Sequence, residues 1–115
     1  MDDLRRTRRP TLPGTILREH YLAARGISIT DLAAATGLSR KHLSQIVNGH
    51  KRLEPAVALR LARVLETSTR FWLNLQTTVD TWDAENAAEA WQPGRVFSTV
   101  SFYAELADGS SQRRR

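Results

Sequence analysis

One short segment of the chain, GLSRKHLSQIVNG at 37–49, places polar and apolar side chains on opposite faces of a predicted helix. Leu43, Ile46 and Val47 follow the spacing of a buried helical face. The other face carries donors and cations, namely Arg40, Lys41, His42, Ser44, Gln45 and Asn48. Arginine and lysine suit the O6 and N7 atoms of guanine, and glutamine suits the N6 and N7 atoms of adenine. The chemistry these residues could perform is therefore the recognition of base edges.

Start and stop signals around this segment predict two short helices joined by a tight turn. Serine N-caps begin both helices and glycines follow both, so we predict helices over 28–36 and 39–48. The turn between them contains Gly37. This arrangement is typical of a helix-turn-helix, whose second helix enters the major groove with its N-terminal residues at the base edges.

On this interpretation the polar face divides into residues that read bases and residues that hold the DNA backbone. The predicted base-reading residues are Arg40, Lys41, Ser44 and Gln45. The predicted backbone contacts are Ser39, His42, Asn48, Lys51 and Arg52. Cations in the first turn of a helix oppose its dipole at roughly 0.3–1 kcal/mol each, so a bound anion explains them better than folding does. The alternative is an ordinary amphipathic helix with a solvated polar face.

Helical periodicity extends to both sides of the motif. A first helix is predicted from Pro13 to a stop at Gly26, and a fourth helix begins at Pro55. A fifth helix follows the caps at Thr67 and Ser68 and is expected to reach about Ala90. The predicted fold is all-α, with five helices in one domain.

The predicted domain spans residues 13–90, and different sequence types flank it. Residues 1–12 are expected to form a flexible basic arm. Residues 91–115 form an extension in which β-branched and aromatic residues predict a strand over 96–103, followed by disorder.

Composition narrows the functional classes. The chain has 115 residues, a formal net charge of +5 and no cysteine, so disulfides and cysteine-based zinc sites are excluded. The three histidines lack the spacing of a helical metal site, and no nucleotide loop or nucleophile motif is present. We expect a cytoplasmic protein with no signal peptide, no membrane span, no cofactor, no small-molecule substrate and no enzymatic activity.

Longer strings carry a family resemblance. ISITDLAAATGLSRKHLSQIVNGHKRL resembles the XRE/Cro-type helix-turn-helix family, whose fold is lambda-repressor-like. LPGTILREHYL before it and ALRLARVLETSTRFWLNLQ after it are similar to HigA-like plasmid-maintenance antidote proteins. One departure is Ile29, at a position where the family often has a glutamine that touches phosphate.

The resemblance implies a homodimer with two activities. It implies binding and neutralisation of a HigB-type toxin, a small RelE-like ribonuclease that cleaves mRNA. It also implies repression of the operon through a palindromic, double-stranded operator. The base-reading and backbone residues named above fall where the family contacts DNA.

Two features of the fifth helix suggest protein contacts. An apolar stripe of Phe71, Leu75, Val79 and Trp82 predicts a dimer seam, with core packing alone as the alternative. An acidic block of Asp80, Asp83, Glu85 and Glu89 is either a solvated face or a contact for a basic toxin surface. The basic arm and the extension are alternative toxin contacts.

Two functional interpretations therefore stand. The first is an antitoxin of a type II toxin–antitoxin system that also represses its own operon. The second is a stand-alone dimeric repressor without a toxin partner. Both use the polar face of the second motif helix on DNA, and they differ in whether another surface binds a protein.

Overall fold

The computed structural model describes residues 8–87 and 91–98, and five helices lie within these ranges. Helix α1 is continuous through Pro13–Ile16, Leu17–Leu22 and Ala23–Arg25, and its middle section is π-helical. The others are α2 (Ile29–Thr36), α3 (Arg40–Val47), α4 (Pro55–Leu65) and α5 (Thr69–Glu85). The described residues contain no strand, and the predicted all-α fold is confirmed.

Three predicted serine caps begin helices in the structure. The Ser28, Ser39 and Ser68 hydroxyls accept hydrogen bonds from the backbone N–H groups of Asp31, His42 and Phe71 at 2.9, 3.0 and 3.0 Å. Each bond satisfies one of the backbone donors that the first turn of a helix leaves unpaired. The start of α2, α3 and α5 is therefore set by interactions spanning three residues.

The core is built mainly from leucines of α1 to α4 and of the loop after α3, together with Trp72 and Val79 of α5. Its largest fully buried members are Leu17, Leu32, Leu43, Ile46, Leu53, Leu61, Leu65, Val79 and Trp72. The Trp72 ring lies 5.0 Å from the Phe71 ring and 5.2 Å from the Tyr21 ring, between centroids. Its indole N–H donates to the Thr67 hydroxyl at 2.7 Å, so the buried polar atom is satisfied.

Helix α5 ends earlier than the sequence predicts. Its last helical residue is Glu85, whereas the sequence predicts an end at about Ala90. The Asn86 side chain donates to the Trp82 carbonyl at 2.9 Å, and the Asn86 backbone N–H donates to the same carbonyl at 3.0 Å. Local bonding by asparagine competes with helix continuation, which accounts for the stop.

The strand predicted over 96–103 falls mostly outside the described residues. Residues 96–98 have neither helical nor strand structure, and residues 99–103 lie beyond the described range. The strand therefore stays a prediction. Residues 1–7 of the predicted arm are likewise outside the described part of the chain.

Candidate nucleic-acid interface

The turn between α2 and α3 is held by side-chain hydrogen bonds. The Thr36 hydroxyl donates to the Leu32 carbonyl at 2.8 Å and accepts from the Leu38 N–H at 3.3 Å. Arg60 on α4 donates to the Thr36 carbonyl at 2.8 Å. Gly37 has a φ of 77°, a left-handed conformation that glycine adopts without strain. These contacts fix the direction in which α3 leaves α2.

Helix α3 is seated in the core by one face and leaves its cations on the other. Leu43, Ile46 and Val47 are buried, as the sequence predicts. Arg40 and Lys41 are exposed, whereas Ser44 and Gln45 are half-buried. Within residues 8–87 and 91–98, no ion pair involves Arg40 or Lys41. The first turn of α3 therefore presents two cations that have no carboxylate partner in the described part of the chain.

The residues predicted to hold the DNA backbone lie in different surroundings. The Ser39 hydroxyl serves as the α3 cap, and the Asn48 amide donates to the Ser44 hydroxyl at 3.4 Å. His42 is half-buried, and its Nε2 is buried without a hydrogen-bond partner in the described part of the chain. Ile29, the departure from the family pattern, is half-buried against the core.

The loop after α3 begins with a tight helix stop. The His50 N–H donates to the Gln45 carbonyl at 2.8 Å, and Gly49 has a φ of 79°. This is the Schellman arrangement, in which a left-handed glycine ends the helix. Lys51 then extends into solvent and takes part in no ion pair of the described residues. It is the member of the predicted backbone set whose charge is most available.

Arg52 is not free in this structure. Its guanidinium donates to the Asp80 carboxylate on α5 and to Glu54 Oε2 at 3.3 Å. The hydrogen bond to Asp80 is the main reason that the pKa of Arg52 is raised above its ordinary value. A phosphate that binds Arg52 has to compete with these carboxylates.

Part of the predicted arm is also held by α5. Arg9 donates through Nε and Nη2 to the two carboxylate oxygens of Asp83 at 2.9 and 2.8 Å. This hydrogen bonding raises the pKa of Arg9. Pro10 is buried. Residues 8–12, which the sequence analysis assigns to a flexible arm, therefore lie against the domain.

Arg9 and the loop after α3 border one cleft of about 430 Å³ beside the end of α3. Its lining includes Arg9, Ile46, His50, Lys51, Arg52, Glu54 and Gln76. Gln76 is 7% exposed, accepts from the Leu53 N–H at 2.8 Å and donates to Asp80 Oδ1 at 3.0 Å. Sequence reasoning missed Gln76 and Arg9, because neither has a local signal that predicts its partner.

The acidic block divides in the structure. Asp80 and Asp83 are paired with Arg52 and Arg9. Glu85 is exposed and joins no ion pair of the described residues, and Glu89 lies outside them. A toxin that bound Asp80 or Asp83 would have to displace an arginine first.

The predicted dimer stripe is only partly accessible. Val79 is 1% exposed and belongs to the core of the single chain. Phe71 and Leu75 are half-buried against that core. Trp82 is half-buried, and its indole N–H is buried without a hydrogen-bond partner among the described residues. A second copy could therefore reach Phe71, Leu75 and Trp82, but not Val79.

The described residues contain neither a metal-binding cluster nor a membrane-spanning helix. No group of three or more histidine or acidic side chains is arranged to hold a metal ion. No helix in these ranges is long and apolar enough to cross a membrane.

Comparison with known proteins places the chain in a family. The helix-turn-helix family model matches residues 17–72. The chain is 38% identical over 97 residues to the uncharacterized HTH-type transcriptional regulator YbaQ of Escherichia coli, covering 84% of this chain and 86% of that protein. The chain belongs to the helix-turn-helix family. The family comprises DNA-binding regulators and antitoxins of the XRE type, and not enzymes.

Two other relatives of this helix-turn-helix protein are named antitoxins. It is 40% identical over 79 residues to antitoxin HigA-1 of Vibrio cholerae, covering 69% of this chain and 74% of that protein. It also matches the structure of antitoxin GraA in complex with its operator, with a TM-score of 0.66 and 32% identity over 96% of this chain and 97% of that one. The resemblance to HigA-like antitoxins is thereby confirmed.

Proposed function

We propose that this helix-turn-helix protein is an operator-binding repressor that reads DNA with α3. The observation that carries the proposal is the exposed pair Arg40 and Lys41, which no described carboxylate neutralises, at the first turn of a helix seated by its other face. The N-terminal residues of such a helix are the ones that meet base edges in the major groove. The likeness to antitoxin GraA, whose structure includes its operator, supports this placement.

The proposed contacts follow from the side-chain chemistry. Arg40 and Lys41 would donate to guanine, and Gln45 would pair with adenine, while Ser44 donates to a base or a phosphate. Lys51 contacts a backbone phosphate and adds affinity without sequence preference. Ser39, His42 and Asn48 remain proposed backbone contacts, with Ser39 acting through its position at the helix start.

We further propose that the protein is an antitoxin acting in the cytoplasm. In this role it binds and neutralises a HigB/RelE-like, mRNA-cleaving ribonuclease and represses the operon that encodes both proteins. The 40% identity to antitoxin HigA-1 of Vibrio cholerae supports this role. The similarity to YbaQ, a protein described only as a transcriptional regulator, favours the second candidate, a repressor without a toxin.

Two surfaces are proposed for the toxin. The first is the acidic end of α5, where Glu85 is the exposed acidic residue without an ion pair in the described ranges. The second is the extension, in which Val96 and Phe97 are each 73% exposed. Large apolar side chains left this exposed suit burial against a protein partner. Deletion of residues 92–115 and the substitution Glu85→Gln separate these surfaces, because each removes only one.

The proposed dimer uses the accessible part of the α5 stripe. Phe71, Leu75 and Trp82 would pack against the same residues of a second copy, as a two-fold interface requires. Such a dimer would place two α3 helices on the two halves of a palindromic operator.

Two experiments test the proposed function. The first measures binding to a duplex taken from upstream of the gene and to a duplex of scrambled sequence. Tighter binding to the upstream duplex is expected, and equal binding to both would contradict the repressor role.

The second experiment co-expresses the protein with the small reading frame adjacent to its gene. Growth arrest by the neighbour alone, relieved in a stable complex, is expected for an antitoxin. If the neighbour causes no growth arrest and forms no complex with the protein, the stand-alone repressor is the remaining candidate.

A further inference from the structure

Two arginines beside the end of α3 are each held by an aspartate of α5. Arg9 forms a two-point contact with Asp83, and Arg52 contacts Asp80. The two aspartates are three positions apart and so lie on neighbouring turns of one helix face. A single strip of α5 therefore neutralises one arginine that precedes α1 and another that follows α3.

Both ion pairs are open to water. The side chains of Arg9 and Asp83 are 48% and 45% exposed, and those of Arg52 and Asp80 are 50% and 41% exposed. Exposed ion pairs contribute little to stability, because water solvates both groups nearly as well when they separate. An external anion can therefore replace either carboxylate at small cost to the fold.

The position of the arginines indicates which anion this is. Both line the cleft that also contains Ile46 of α3 and the following residues His50 and Lys51. In a helix-turn-helix complex the strands flanking the reading helix carry the phosphates that position the protein. A phosphate offers a guanidinium the same two-oxygen geometry as a carboxylate.

We propose that Arg9 and Arg52 form a binding site for DNA phosphates, and that Asp83 and Asp80 occupy this site as internal competitors in the free protein. The proposal rests on the proposed DNA-binding function and adds Arg9, a residue that precedes the helix-turn-helix, to the contact surface. On DNA, phosphates replace the carboxylates at the two guanidiniums. In the free protein, the aspartates neutralise the two cations. DNA has to displace them, so they weaken binding to every sequence alike.

This arrangement separates sequence-specific from sequence-independent affinity. Arg40 and Lys41 have no competing carboxylate among the described residues, whereas Arg9 and Arg52 each do. Phosphate contacts carry no sequence information, so a competitor at those two arginines lowers the affinity for every DNA sequence by the same factor. The preference for the operator over other sequences, which depends on base readout, is unchanged.

The test measures DNA affinity against salt concentration for Arg9→Ala and Asp83→Asn. Each phosphate contact contributes about 0.9 to the slope of log affinity against log salt. Arg9→Ala is expected to weaken binding to upstream and scrambled duplexes equally and to reduce the slope by about that amount. Asp83→Asn is expected to tighten binding to both duplexes severalfold. The double variant should match Arg9→Ala, because Asp83 competes only for Arg9.

Arg18→Ala is the matched control. Arg18 and Glu19 form a similarly exposed ion pair at 3.0 Å, but neither residue lines the cleft. The control removes the same charge, and its salt slope should equal that of the wild type. If Arg9→Ala and Arg18→Ala changed DNA affinity and salt slope equally, the proposal would be overturned. The Arg9–Asp83 pair would then be a structural ion pair only. Thermal melts of each variant confirm that the domain is folded.

The outcome for the wild-type protein separates this proposal from the function on which it rests. If the wild type binds neither duplex at low salt, the repressor function fails and the phosphate site fails with it. If the wild type binds DNA but Arg9→Ala and Asp83→Asn do not change the affinity or the salt slope as expected, the proposed phosphate site alone is wrong. Arg52→Ala and Asp80→Asn repeat the comparison at the second pair.

Discussion

The side chain of Gln76 on α5 accepts a hydrogen bond from the backbone N–H of Leu53 at 2.8 Å, across 23 residues of sequence. Leu53 is 2% exposed, so its N–H has no access to water. Through this bond a buried amide ties α5 to the loop that follows the proposed reading helix. The Gln76 amide N–H group also donates to Asp80, so one residue supports both the loop and the acidic strip.

Substitution of Gln76 by leucine should destabilise the domain. Leucine has a similar volume but leaves the Leu53 N–H unpaired, and a buried unpaired donor costs about 1–3 kcal/mol. Urea denaturation measures the change in the free energy of unfolding. The exposed neighbour Asn74→Ala serves as the control and should leave that free energy nearly unchanged. Equal stabilities of the two variants would show that the Leu53 bond contributes nothing.

Gly14 marks the closest approach between α1 and α3. A Cβ atom at this position would overlap the backbone carbonyl of Ile46. Gly14→Ala should therefore force the two helices apart, and overpacking of this kind typically costs about 1–3 kcal/mol. Gly94→Ala is the matched control, because a Cβ there meets nothing within 4 Å. Thermal unfolding should show a lower midpoint for the first variant only.

Arg40→Ala should relax specificity at one operator position. Loss of a two-point contact to guanine costs about 1–3 kcal/mol at that base pair. The measurement compares affinities for operators mutated one base pair at a time, with Arg63→Ala on α4 as the control for lost charge. Unchanged operator affinity in the Arg40 variant would rule out α3 as the reading helix.

Lys51→Ala should act on all DNA sequences. Its exposed ammonium group has no ion-pair partner within residues 8–87 and 91–98, so its full charge is available to a phosphate. Its removal should weaken binding to the upstream and scrambled duplexes to the same degree. It should also reduce the slope of log affinity against log salt by about 1. A loss confined to the upstream duplex would instead make Lys51 a base-reading residue.

Trp82→Ala should shift the protein from dimer to monomer. The half-buried Trp82 ring continues the accessible stripe of α5, and aromatic residues at the centre of an interface carry much of its binding energy. Light scattering at a series of concentrations measures the mass. Trp91→Ala removes a tryptophan that is 80% exposed in the extension and should leave the mass unchanged. A dimer that persists in the Trp82 variant would exclude this seam.

The apolar stripe of α5 shows how closely helical periodicity predicts the buried face of a helix. The sequence predicts one apolar stripe of Phe71, Leu75, Val79 and Trp82, as a dimer seam or as core, whereas the structure buries Trp72, Gln76 and Val79 most deeply. Hydrophobicity alone places an inward face to within about one residue. It cannot place a buried glutamine, since that depends on the N–H group its amide satisfies.

The sequence by itself determined the number of helices, the residues at which they begin, and the division of α3 into a buried and a polar face. Caps such as Ser39 and stops such as Gly49 act within one turn, so neighbouring residues contain the whole interaction. Only the tertiary structure decided that Arg9 meets Asp83, 74 positions away, and that Arg52 meets Asp80. Such pairs depend on how helices pack, and local sequence contains no signal that selects one exposed carboxylate over another.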